Sequence, residues 1–144
     1  MQRISEEEAI SKGIEPRHDR MDNGERRYRL NCLTDGSSYC RTEASDVGGW
    51  QNSHYHQSSS ELYVVQAGWM VYAEIHNGQL KITVLKEGES VMVTPYIHHN
   101  IYLSSNSVIH TIKYGSHIEQ NDWYSSPQLD EQTKFLDPRG LVST

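Results

Sequence analysis

A chain of 144 residues carrying a net charge of −6 is long enough to bury one core and short of what two ordinary domains need. Its acidic balance argues against a nucleic-acid surface, because phosphate binding relies on clustered lysine and arginine. The opening residues Met1 to Glu8 lack the apolar stretch of a secretory leader, and no apolar run is long enough to cross a bilayer, so a soluble cytoplasmic domain without a membrane partner is expected.

In chain order, Ser5 and Glu8 form a capping box, with Ile4 as staple, for a short helix that Gly13 and Pro16 end. Residues 14–27 are polar and show no apolar periodicity, which predicts a surface connection. Arg17, Arg20, Arg26, Arg27 and Arg29 crowd there, interrupted by Asp19, Asp22 and Glu25, and read as a mixed, solvated run. Strands are predicted near 28–33, 38–44, 51–57, 61–67, 69–76, 80–85, 90–94, 99–103 and 108–114. Cys32 and Cys40 flank the turn signal Asp35-Gly36, so neighbouring strands with reduced thiols are expected. Asn77-Gly78 is the strongest hairpin signal. Near the end, Ser126 is placed to cap a helix whose first residue is Pro127. Leu129, Thr133 and Leu136 recur along it at helical spacing, ready to pack on the barrel wall or a neighbouring subunit. Many short strands with turn signals between them indicate an all-β barrel or sandwich with short terminal helices. The single domain divides into 1–27, a barrel over 28–115, and a C-terminal segment over 116–144.

The chemistry concentrates in the middle. Gly48, His54, His56, Glu61 and Gly68 stand in the spacing G-x5-H-x-H-x4-E-x6-G, and His99 follows 11 residues after Gly88. Side chains alternate along a strand, so His54 and His56 share a face while Tyr55 points away. A polar turn, Gln57 to Ser60, lets the chain reverse and bring Glu61 back beside them. Two imidazoles, a carboxylate and a third imidazole from a distant strand suit a divalent first-row metal with coordination positions left open. His98 competes with His99 for the last position. If His99 faces the barrel interior, so do Ile101 and Leu103, whereas the opposite choice turns Asn100 inward, so His99 is preferred.

These residues resemble the two motifs of the cupin superfamily, small jelly-roll β-barrels in which the first motif supplies two histidines and a glutamate and the second the last histidine. The first motif fits at every fixed position. In the second, G-x5-P-x-G-x2-H-x3-N, Gly88 and His99 are in register, but Thr94, Tyr96 and Leu103 replace the proline, glycine and asparagine. Together the motifs span residues 48–103. The resemblance implies a single cupin unit, His54, His56, Glu61 and His99 as ligands to Fe, Mn, Ni or Zn, and a homodimer associating through its sheets.

Two further residues are candidates for catalysis. Tyr63 shares the inward parity of Glu61, and a buried phenol can donate a proton or orient an oxygen. In the last long strand, the charge on Lys113 favours turning it outward, which places His110 inside as a general base. Trp50, Tyr96 and Tyr102 lie close in sequence to the ligand strands and are expected at the mouth. His18, His76 and His117 lack partners at ligand-like spacing and read as surface residues. The leading functional expectation is a metal-dependent enzyme acting on a small polar organic substrate. The metal would serve as Lewis acid or oxygen-activating centre in dioxygenase, decarboxylase or isomerase chemistry. The alternatives are a non-catalytic small-molecule or sugar-binding module and a metal-free sugar-nucleotide isomerase or epimerase.

Overall fold

The structure, a computed structural model, describes residues 1–115 and 121–142. His117 therefore lies outside the described residues. Helix α1 (Glu6–Ser11) begins as its capping box predicts, with the Glu8 amide donating to Ser5 Oγ at 3.2 Å. Gly13, at φ +88°, turns the chain out of it.

Residues 14–27 are not a surface connection. Strand β1 (Ile14–Arg20) pairs antiparallel with β2 (Arg26–Cys32) along its whole length, from Ile14 opposite Cys32 to Arg20 opposite Arg26. The missing apolar periodicity has a physical cause. The inward face of this hairpin borders a polar cavity instead of the core, so Glu15, Arg17, Arg27 and Arg29 stand where a core-facing strand would carry aliphatics. β1 is an edge strand, where Pro16 costs no ladder bond.

The remaining strands are β3 (Ser38–Glu43), β4 (Gly49–Trp50), β5 (His54–Tyr55), β6 (Ser60–Ala67), β7 (Trp69–His76), β8 (Gln79–Lys86), β9 (Ser90–Val93), β10 (His99–Leu103), β11 (Val108–Tyr114) and β12 (Tyr124–Ser125). They form two six-stranded sheets. The first has the order β1-β2-β3-β11-β6-β9; the second runs β12-β5-β10-β7-β8, with β4 also on β10. This is the all-β cupin-like jelly roll with a short helix near each end. Of the predicted strand 51–57 only the two residues of β5 pair, with β4 just before the predicted span, because the chain there crosses to deliver His54 and His56 and does not run along a sheet. The Asn77-Gly78 hairpin forms, with both residues at positive φ, 51° and 77°.

One end of the barrel is packed by Val65, Met70, Tyr72, Ile101, Leu103 and Ile109, all almost wholly buried. Ile101 and Leu103 face this core, as strand parity predicts. Asn100 and Tyr102 are on the other face, yet they too are buried. Helix α2 (Pro127–Thr133) covers that face, burying Leu129 and Thr133, and the Asn100 amide donates to the Gln51 carbonyl at 3.1 Å and to Thr133 Oγ at 3.4 Å. Ser126 occupies the N-cap position without capping; its hydroxyl is bonded to His98 Nδ1 at 2.7 Å. Cys32 and Cys40 are free thiols on adjacent strands. No helix among the described residues is long and apolar enough to cross a membrane.

Candidate metal centre

His54, His56, Glu61 and His99 converge, with one donor atom from each lying within 4.8 Å of the others, and all four residues are buried. Register explains the meeting. β10 pairs with β5 so that His99 lies opposite His54, both in the second sheet. The turn after His56 returns the chain into β6 of the first sheet, carrying Glu61 inward. His98, the neighbour of His99, points the other way, stacked on Tyr55 with ring centroids 4.3 Å apart.

Each imidazole is aimed by the same device. Nδ1 of His54 bonds the Asn52 carbonyl at 2.9 Å, that of His56 the Asp122 carbonyl at 2.5 Å, and that of His99 the Ile97 carbonyl at 2.9 Å. A carbonyl only accepts, so each Nδ1 carries the proton and each Nε2 presents a lone pair to the centre. Glu61 Oε1 is in contact with His56 Nε2, a hydrogen bond only while that ring is protonated at both nitrogens, and lies 3.6 Å from His54 Nε2 and 3.4 Å from His99 Nε2. His99 Nε2 is buried without a hydrogen-bond partner. Lone pairs and a carboxylate facing one another repel unless a cation lies among them, and three nitrogens with one oxygen suit a divalent transition metal. The residues fit such an ion on this ground.

The electrostatics of the cluster follow from burial and contact. Burial drives the Glu61 carboxyl up, but bonds from the three histidines outweigh it and hold the group well below the usual carboxylate range. Burial lowers His54. It works against the cation of His56 as well, yet the hydrogen bond and charge of Glu61 prevail there and raise it.

Asp122 is a functional residue that the sequence reading missed. It is 3 % exposed, and its carboxylate accepts from the amides of Gln57, Ser58 and Ser59 and from both serine hydroxyls, at 2.7 to 3.0 Å. One residue therefore clamps the turn between His56 and Glu61 with its side chain and aims the His56 ring with its carbonyl. The signal for it lies 66 residues from His56, beyond any local pattern. Burial raises its carboxyl, but hydrogen bonds from the Gln57 and Ser58 amides and the Ser59 and Ser58 hydroxyls bring it down to about 2. A carboxyl depressed on folding stabilises above its unfolded value and loses that contribution as the pH falls through the folded one. Asp122→Asn should thus destabilise the protein by about 2 kcal/mol at pH 7, with the difference from wild type vanishing between about pH 4 and pH 2. Denaturant unfolding at several pH values measures this; a pH-independent difference would refute the clamp.

Tyr63 lies inside, as parity predicts, 3 % exposed, with its ring centroid 6.2 Å from that of His99. Burial first, then the nearby charge of Glu61, raises its phenol well above the usual range, so it stays protonated. The expected placement of His110 is corrected. Ile109, Thr111 and Lys113 face inward, while His110 is on the outer surface of the sheet, bonded to the Tyr39 hydroxyl at Nδ1 and to Gln66 Oε1 at Nε2, both at 2.6 Å. Turning Lys113 outward assumed an apolar interior, and the barrel is polar at that end. Trp50 and Tyr102 are not at the mouth; they pack edge to face, and the Trp50 indole donates to the Leu136 carbonyl. Trp123 takes that place, stacked on His54 with centroids 5.4 Å apart and its ring half exposed to the cavity. Tyr96, at the position of the motif's glycine, adopts the left-handed φ of 67° that a glycine would supply, and its amide donates to the His56 carbonyl.

No family model and no curated protein matches the chain. Solved structures do. The oxalate decarboxylase of Bacillus subtilis at pH 4.6 superposes with a TM-score of 0.64 at 12 % identity, over 88 % of this chain and 33 % of that one. KdgF from Halomonas sp. gives 0.57 at 15 % identity, over 74 % of this chain and 89 % of that one. The capsular polysaccharide assembling protein CapF from Staphylococcus aureus gives 0.56 at 16 % identity, over 77 % and 32 %. The chain thus spans about a third of the decarboxylase chain that it matches. Fold and centre together define a class, a cupin-like β-barrel with a clustered three-histidine, one-glutamate metal site.

Proposed function

We propose that the protein is a metal-dependent enzyme acting on a small polar organic molecule, with His54, His56, Glu61 and His99 holding a divalent transition metal. The observation that carries this reading is the common aim of three Nε2 lone pairs, each set by a backbone carbonyl, at one buried carboxylate oxygen. When bound, the metal supplies Lewis acidity or oxygen activation, the chemistry of dioxygenases, decarboxylases and isomerases. Tyr63 keeps its proton beside the centre and is our candidate for proton donor to a developing charge on the substrate. The similarity to the oxalate decarboxylase of Bacillus subtilis, which has Mn(II) centres, supports manganese and decarboxylation as the first combination to test.

Metal analysis of anaerobically purified protein, followed by an oxygen-uptake and product screen over small acids, diols and sugars, tests the proposal. Oxygen uptake dependent on Fe(II) marks a dioxygenase, and turnover without oxygen a decarboxylase or isomerase. Tight binding without turnover would leave a recognition module, and absence of stoichiometric metal would overturn the reading. Tyr63→Phe should lower turnover by about 100-fold with metal content unchanged.

Association is proposed through the outer face of the first sheet. Pro16, Leu30, Tyr39, Ile112, Leu62 and Met92 lie in one row across its six strands, and Leu30, Tyr39, Ile112 and Met92 are exposed. A monomer by sedimentation equilibrium would remove this homodimer.

A further inference from the structure

Beside the metal ligands lies a cavity of about 840 Å³ whose wall, along the inward face of the first sheet, changes character. The row that begins at Tyr63 continues through Thr111, Cys40, Arg29 and Arg17. In the adjacent row Lys113 stands opposite Glu61 and lines the cavity with it. The aliphatic wall of the closed end thus gives way to a cationic one. Three of its charges are already matched: Arg27 bonds Glu25 at 2.9 Å, and Arg29 and Arg17 both reach Asp19, at 2.6 and 3.5 Å. Among the described residues no carboxylate forms an ion pair with Lys113.

We infer that the substrate is an organic anion, bound with an oxygen donor at the metal centre and its acid group on Lys113. The inference rests on the metal reading and names the class of molecule that the site takes. A lysine ammonium and a divalent cation in one cavity repel each other, and an ammonium held half-buried with no carboxylate partner among the described residues loses hydration. An anion spanning the two relieves both costs. The volume is that of a site for a whole organic molecule and exceeds what an ion with its waters fills. Lys113 would act in binding and orientation. Its ammonium gives three donors on a flexible stem, which suits either a carboxylate or a phosphate head.

The test uses metal-loaded protein and matched probes. Malonate, succinate, glutarate and adipate are titrated by calorimetry against the monocarboxylates of equal chain length, with 3-phosphonopropionate as the phosphate-type head. At least one diacid or phosphono acid should bind about tenfold more tightly than its monoacid. That gain should vanish in Lys113→Gln and persist in Lys113→Arg, with metal content equal in all three proteins. Preference for the phosphono acid would assign a phosphate head, and preference for a diacid a carboxylate. Metal-loaded protein that shows no gain at any length, or keeps the gain in Lys113→Gln, overturns this inference alone. A chain that takes up no divalent transition metal overturns the metal reading, and this inference with it.

Discussion

His56→Ala should lower metal affinity by more than about 100-fold while the barrel stays folded. Residues that merely hydrogen-bond to a metal ligand cost 10- to 100-fold on removal, so deleting a donor should exceed that range. His56 is fixed at both ring nitrogens, with its ring held between the Asp122 carbonyl and the Glu61 carboxylate. The loss would be local, because the aliphatic core is formed by other residues at the opposite end of the barrel. Metal content after dialysis and the far-ultraviolet circular dichroism spectrum measure the two halves of the expectation. Retention of stoichiometric metal would mean that the ligand set is wrong. Proton competition has a definite sign here. His56 is the histidine raised by Glu61, so its proton must be displaced by the metal, and affinity should fall as the pH drops through the range where that ring protonates.

Gly48→Ala should cost about 3 kcal/mol of folding stability. Gly48 has φ +69°, and a Cβ there would lie 2.3 Å from the carbonyl oxygen of Leu103 and 3.1 Å from the backbone of Ser104 and Ser105. All three neighbours are backbone atoms, none the end of a flexible side chain. The clash is with the strand that carries His99, so relief demands a shift of backbone and not a change of rotamer. A melting temperature lowered by several degrees, with metal-free samples compared, is the expected result; an unchanged one would show that the loop before β4 moves freely. Gly49→Ala is the natural control, since a Cβ there meets nothing within 4 Å, although its φ of 147° is also positive.

The parts of the site that were legible in the sequence are those set by short-range rules. H-x-H followed by glutamate reads as two strands with a reversal between them, and parity alone separates His99 from His98. Parity failed at His110 because it needs to know which face is apolar, and the β11 interior runs from Ile109 in the core to Lys113 in the cavity within five residues. The same polarity hid β1, whose inward residues are charged. Asn100 shows the converse: a residue assigned to an outward face is buried because α2 lies over it, and no strand pattern contains that helix. Asp122 and Trp123 arrive at the centre from the far end of the chain, so only the folded topology brings them there. Tyr96 is the reverse of a motif failure, since the motif's glycine is gone and the backbone geometry remains.

The division of the ligands between the sheets has a mechanical consequence. His54 and His99 belong to one sheet and Glu61 to the other, so an ion held by them would act as a rivet through both walls of the sandwich. A rivet of this kind tightens the folded form by mass action, by about 4 kcal/mol when the free ion is a thousandfold above its dissociation constant. Chelation would therefore soften the whole molecule, and the open, polar end between the walls would be the first place to part.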